Sequence, residues 1–197
     1  MRNWKRLQLT PVYDVKMPAL WFFLPQININ KPHVLTGEKT FLRPVKSEDF
    51  EFVMECENNP EMWPISETPG PFDEATIRDF IEMSGNLKVD GQERWVIFDE
   101  HKSYVGLLDL FSYDHDSKSA GIGIMIADTA NRKKGYAFDA LVTLINNLKE
   151  HKRVLCLQAL IYTDNEPSRR LFEKCGFDAK GSKFYKGKSA IQYVIYL

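Results

Sequence analysis

Apolar positions along the chain follow two rhythms, one helical and one alternating, and the switches between them predict the elements. Phe50, Val53 and Met54 are spaced i, i+3, i+4 and predict a helix, with Ser47 placed as its N-cap. Glu48 and Asp49 suit the positive end of its dipole, and Asn58-Asn59-Pro60 ends it. Asp73 is placed to cap a second helix whose buried face is Ile77, Phe80 and Ile81, with Gly85 just beyond. Three strand-like runs follow, Arg94–Phe98, Tyr104–Phe111 and Ala120–Ala127, joined by polar turns. Helical period returns in Tyr136–His151 through Ala137, Leu141, Leu144, Ile145 and Leu148. Val154–Tyr162 is a continuous apolar run, as expected of a strand buried on both faces. Pro167–Lys174 predicts a short helix closed by Gly176, and Phe177–Tyr185 and Ala190–Leu197 predict a final strand pair.

Val34–Arg43 reads as two short strand pieces around Gly37, so the main domain spans 33–197. Residues 1–32 form an N-terminal extension that Pro11, Pro18, Pro25 and Pro32 cut into pieces too short for regular helix. Its aromatics (Trp4, Tyr13, Trp21, Phe22, Phe23) imply that it packs on something: an apolar face, a second subunit in a homo-oligomer, or the roof of a site. The order β-α-α-β-β-β-α-β-α-β-β is that of a mixed α/β sandwich.

Composition narrows the classes. Of 197 residues, 44% are hydrophobic and 27% charged, which excludes wholesale disorder. No apolar run approaches the roughly 20 residues of a membrane-spanning helix, and Met17–Leu24 lacks the flanks of a secretory signal. Cys56, Cys156 and Cys175 are odd in number and lack CxxC pairing, which points to a reduced cytoplasmic protein without a disulfide framework or metal site. The net charge of −1 conceals a split. Residues 1–130 carry 13 basic and 21 acidic side chains, whereas 131–197 carry 13 and 6.

The basic excess begins in the most informative stretch. The strand Gly121-Ile122-Gly123-Ile124-Met125-Ile126 runs through a short turn into Arg132-Lys133-Lys134-Gly135-Tyr136-Ala137, which opens a helix. Free N–H groups at that helix start, with two lysines and a glycine that lets backbone approach a ligand, make a phosphate cradle. The same triplet also reads as a solvated turn. It is neither a GxxxxGK[ST] loop nor a GxGxxG fingerprint. Gly121 and Gly123 weaken their strand unless another chain or a ligand approaches closely.

Arg132–Ala137 resembles the [QR]-x-x-G-x-[GA] signature of the Gcn5-related N-acetyltransferase (GNAT) superfamily. Asn165-Glu166-Pro167-Ser168-Arg169-Arg170-Leu171-Phe172-Glu173-Lys174-Cys175-Gly176-Phe177 is similar to its N-x-x-S-x-x-[LV]-[YF]-x-K-x-G-F motif. Leu42-Arg43-Pro44-Val45 with Glu48-Asp49, and Asn58-Asn59-Pro60-Glu61-Met62-Trp63, resemble the ribosomal-protein and polyamine acetyltransferase branch. The resemblance covers about 42–197 and implies a mixed, mostly antiparallel central sheet with splayed strands and flanking helices. It implies acetyl-CoA as co-substrate, with no metal. Arg132, Lys133, Lys134, Gly135, Tyr136 and Ala137 would hold the pyrophosphate; Ile124, Met125 and Ile126 would pair with the pantetheine arm. Asn165, Ser168 and Phe172 would meet the cofactor from the next loop and helix.

Two departures bear on chemistry. The family's usual acid, a tyrosine in the short helix after Ser168, is replaced by Phe172, and the strand position that carries a glutamate in many relatives is Leu160. The catalytic residue is therefore unassigned, with Tyr162 the nearest phenol and Glu93 and Asp109 beside the central strands. No cysteine stands in an activated setting, and the histidines fall in polar turns, at a helix end or before a strand. Between Glu38 and Glu100 stand 16 acidic and 6 basic residues, which would draw a cationic amine, with Trp63 and Trp95 able to stack on an ammonium. The acceptor is expected to be a small-molecule or peptide amine, polyamines first and protein N-termini second. A catalytically silent CoA-binding module is the alternative. Nucleic acid is disfavoured because no aromatic platform accompanies the basic turn.

Overall fold

The computed structural model describes residues 34–61, 63 and 70–197. The expected extension 1–32, with Met17–Leu24, lies outside them, as do His33 and Glu67. The elements are β1 (Leu35–Thr36), β2 (Thr40–Pro44), α1 (Phe50–Glu57), α2 (Glu74–Met83), α3 (Leu87–Asp90), β3 (Glu93–Asp99), β4 (Tyr104–Asp114), β5 (Ser119–Ile126), α4 (Tyr136–Glu150), β6 (Cys156–Tyr162), α5 (Glu166–Lys174), β7 (Asp178–Tyr185) and β8 (Lys188–Tyr196). The eight strands form one sheet in the order β1-β2-β3-β4-β5-β6-β8-β7. Every neighbouring pair is antiparallel except β5 and β6. Among the described residues no helix is long and apolar enough to cross a membrane.

Strand alternation sorts the core into two layers. On one face Trp95, Ile97, Leu108, Leu110, Ala120 and Ile122 meet Ala140, Leu141, Leu144, Ile145 and Leu148 of α4. Each of those helix side chains larger than alanine contributes about 1.5–3 kcal/mol of burial. On the other face Val96 and Leu107 lie under Val53 and Cys56 of α1 and Ile77 and Ile81 of α2. Phe80, expected in that stripe, is only half-buried and lies beneath the Arg94 guanidinium, 4.3 Å from ring centroid to Cζ. The β6 strand is not buried on both faces: Leu157, Ala159 and Ile161 are covered, whereas Gln158, Leu160 and Tyr162 are half-open. The α1–α2 cluster includes no β6 residue, so apolar composition alone overstated that cover.

Local chemistry sets the boundaries. Asp73 accepts from Thr76 N at 2.9 Å and caps α2 as expected. Ser47 does not cap α1; a 3₁₀ turn, Ser47–Asp49, intervenes, and Asp49 stands at the cap position without a side-chain bond to the helix. Its buried carboxylate accepts from Lys46 N at 2.8 Å and from both Arg43 guanidinium nitrogens at 2.6 and 2.8 Å. The four-residue α3 is too short to carry a period and was invisible to pattern. Asn58 joins the start and end of the α1–α2 connection: its Oδ1 accepts from Phe72 N at 2.7 Å and its Nδ2 donates to Phe72 O at 3.1 Å.

A buried ionic knot ties this layer to the sheet. Arg94 donates from Nε and Nη2 to Asp109 at 2.6 and 2.8 Å and from Nη1 to Glu57 at 2.5 Å. Burial works against the guanidinium charge, but the two carboxylates outweigh it and hold the group firmly protonated. Arg94→Met strands both carboxylates, so the unfolding free energy should fall by about 3–5 kcal/mol. Urea denaturation at neutral pH measures it, and a loss under about 1 kcal/mol would contradict the assigned role.

Candidate active site

The parallel pairing of β5 with β6 is brief. Ser119, Ala120 and Gly121 pair with Cys156, Leu157 and Gln158, and beyond Gly121 the two strands do not pair. Ile122–Ile126 stays bonded to β4, while Ala159–Tyr162 stays bonded to β8. A wedge thus opens toward the C-terminal end of β5, and Ile124, Met125 and Ile126 line it half-exposed. The glycine expectation needs correction here. A Cβ at Gly121 would lie 2.3 Å from the Phe111 ring, so that glycine makes room for an internal side chain across the β4–β5 ladder. Gly123 also faces this ring, at 3.7 Å.

From the end of β5 the chain passes through a 3₁₀ turn, Thr129–Asn131, stabilised by Asp128 Oδ1 accepting from Ala130 N at 2.7 Å. Arg132, Lys133, Lys134 and Gly135 then run exposed into α4. Lys133 and Gly135 both adopt left-handed backbone, φ 61° and 92°. No side chain caps α4. Its first backbone bond, Asp139 N to Gly135 O at 3.0 Å, leaves the preceding N–H groups pointing out of the helix start. An uncapped helix start with its dipole and three basic side chains suits an anion. The residues expected to hold pyrophosphate, Arg132 to Ala137, are contiguous there, one loop away from Ile124–Ile126.

Asn165 is the N-cap of α5, its Oδ1 accepting from Ser168 N at 3.3 Å, so these two expected contact residues are tied to each other. Phe172 is 2% exposed and packs edge-to-face on Phe177 at 4.9 Å; its ring belongs to the core. Tyr162 lies on the half of β6 that does not pair with β5, with Lys188 Nζ 5.1 Å from its ring centroid. Glu93 is buried and paired with Arg153 at 2.6 Å, and Asp109 is engaged by Arg94. Burial pushes the thiol of Cys56 up to about 12 and that of Cys175 up to about 11, so neither is a thiolate at neutral pH.

The expected acceptor lining changes most. Trp95 is fully buried beneath α4 and meets no amine, because its strand position faces the α4 layer. Trp63 is half-buried and donates from Nε1 to Glu57 O at 2.9 Å. Glu57 itself is neutralised by Arg94. A groove of about 90 Å³ between α1 and α2, lined by Ser47, Phe50, Arg78, Ile81 and Glu82, shares no residue with the cofactor motifs.

Two residues at the cradle escaped the sequence. Asp139, in the first turn of α4, accepts from Glu38 N at 2.9 Å, Lys39 N at 3.0 Å, Thr40 N at 2.9 Å and Thr40 Oγ1 at 2.6 Å. The β1–β2 turn is thereby held against the cradle, and Lys39 Nζ donates to Lys134 O at 3.2 Å. A lone acid on a helix face and a lysine a hundred residues earlier carry no shared pattern.

A family model described as acetyltransferase (GNAT) domain matches residues 39–178. None of the curated proteins matches the chain. Among solved structures, spermidine N-acetyltransferase from Vibrio cholerae with CoA and spermine is 20% identical, at TM-score 0.68 over 80% of this chain and 95% of that one. An acetyl transferase from Salmonella typhimurium that modifies the N-terminal serine of ribosomal protein L7/L12 is 14% identical, at TM-score 0.70 over 83% and 99%. Aminoglycoside acetyltransferase AAC(6′)-Ib with coenzyme A is 16% identical, at TM-score 0.67 over 80% and 94%.

Burial works against the Asp139 charge, but the Thr40 hydroxyl and the N–H groups of Lys39, Glu38 and Thr40 outweigh it and hold the carboxyl below its ordinary value. Its contribution to stability is therefore complete above the unfolded pKa of about 3.9 and is lost as the pH falls through the lowered folded value. Asp139→Asn should be less stable than the wild type at pH 7, the gap narrowing as the pH drops from about 5 toward 2. Denaturation at a series of pH values reads this; a gap independent of pH would contradict it.

Proposed function

The chain belongs to the GNAT acetyltransferase family, and on that premise we propose that it transfers the acetyl group of acetyl-CoA to a primary amine, a polyamine or other small cationic amine. The observation that carries the reading is the β5–β6 wedge beside the uncapped start of α4, a place for an extended thioester arm and for its phosphates. Ile124, Met125 and Ile126 would extend the sheet onto the arm, and Arg132–Ala137 would hold the pyrophosphate, with Asn165 and Ser168 flanking it. Bound there, acetyl-CoA supplies the activated acetyl carbonyl.

The amine must reach that carbonyl neutral, although a free alkylamine is protonated at neutral pH, with a pKa of about 10.4. Its lone pair forms the C–N bond and the C–S bond breaks; the nitrogen, positively charged after attack, gives a proton to water, and the departing sulfur takes one up. Leu160 carries no proton and the Phe172 ring is enclosed in the core. Tyr162, on the open half of β6, is the side chain assigned to proton delivery. The site otherwise acts by positioning.

The acceptor class rests on solved relatives. One acts on spermidine and one on a ribosomal protein's N-terminal serine, so a protein N-terminus is the second acceptor. Phe172 and Leu160 favour a different reading, a CoA-binding module without turnover.

Incubation with acetyl-CoA and a panel of polyamines, aminoglycosides and N-terminal peptides, following thiol release, should show turnover with polyamines. CoA binding with no turnover on any amine would establish the silent module instead. Tyr162→Phe should lower kcat by roughly a hundredfold with KM for acetyl-CoA unchanged. An unaltered kcat would remove Tyr162 from the chemistry.

A further inference from the structure

We propose that Lys39, outside every cofactor motif, is a pyrophosphate-binding cation of the CoA site and that Asp139 is its positioning residue; this rests on the CoA reading above. Lys39 comes from the β1–β2 turn, about a hundred residues before the cradle, yet its ammonium lies at the cradle's rim. Nζ is 3.2 Å from Lys134 O, and a Cβ placed on Gly135, the residue that opens α4, would lie 3.5 Å from the same nitrogen. One carbonyl uses one of the ammonium's three N–H donors, and the side chain is exposed, so the other two are open to solvent beside the residue that opens α4.

Asp139 explains both why the lysine is there and why an acid is tolerated. A carboxylate in the first turn of a phosphate-binding helix would repel the ligand. Here its two oxygens accept four hydrogen bonds from the β1–β2 turn, so they face that turn's donors. The same bonds fix the backbone of Lys39, and Gly37 leaves room for the clamp: a Cβ there would lie 2.3 Å from Asp139 Oδ2. The carboxylate keeps its charge, but that charge is bonded to the turn's donors, and the same bonds set a cation at the cradle.

Calorimetric titration of the full chain with CoA and with 3′-dephospho-CoA tests this. Lys39→Met should weaken both ligands about tenfold and flatten the salt dependence of binding. Lys39→Arg should retain most of the affinity, and Lys152→Met, beyond the other end of α4, should change nothing. Asp139→Asn should weaken binding in the wild-type background but add little to Lys39→Met. Wild-type protein that binds neither ligand would sink the CoA reading itself. Wild-type binding with no loss in Lys39→Met would overturn the role of Lys39 alone. A loss confined to CoA would move the contact to the 3′-phosphate and overturn the pyrophosphate assignment. An equal effect of Asp139→Asn in both backgrounds would overturn its positioning role.

Discussion

The fold depends on a strand pair that stops. β5 and β6 run parallel for three residue pairs and then separate. Backbone N–H and C=O groups are obligate hydrogen-bonding groups, so a sheet tends to close such a gap. It stays open because each strand is held from its outer side, β5 by β4 through Ile126 and β6 by β8 through Tyr162. The Phe111 ring, seated over Gly121 where the pairing ends, packs across the β4–β5 ladder at that point. Apart from Lys39, every residue assigned to cofactor binding borders this wedge or follows it by one loop.

The two layers flanking the sheet have different electrostatic economies. Near the wedge, cations stand exposed on a helix start that no side chain caps, and the nearby acid is fully engaged. On the α1–α2 side, the charges nearest the sheet are satisfied among themselves, Arg43 with Asp49 and Arg94 with Glu57 and Asp109, while Glu51, Glu55, Asp79 and Glu82 stand exposed. A count along the chain does not separate the acids that Arg43 and Arg94 engage from those that stay exposed.

Legibility followed the range of the interaction. The helices with long stripes, the strand runs and the Arg132–Ala137 turn rest on local periodicity or contiguous motif, and they stand where the pattern put them. Ser47 failed as a cap because residues 47–49 wind into a 3₁₀ turn that moves the start of α1 to Phe50, with Asp49 bound to Lys46 N and Arg43. Trp95 failed as a stacking surface because its face of the strand belongs to the α4 layer, and composition does not reveal which face a layer covers. Lys39 and Asp139 meet only once the β1–β2 turn has docked, so neither half signals the other. Phe172 was legible as a departure, and only packing disclosed that its ring is wedged against Phe177.

The paired bonds between Asn58 and Phe72 have an evolutionary consequence. They pin both ends of the α1–α2 connection, so its closure is settled at the neck. Lengthening a loop between fixed ends costs only about 0.6 kcal/mol per doubling. Insertions, deletions and substitutions between those two residues can therefore accumulate with little mechanical effect on the sheet. A lineage could change the length and sequence of that connection while the wedge and the phosphate cradle, in a different part of the chain, stay as they are.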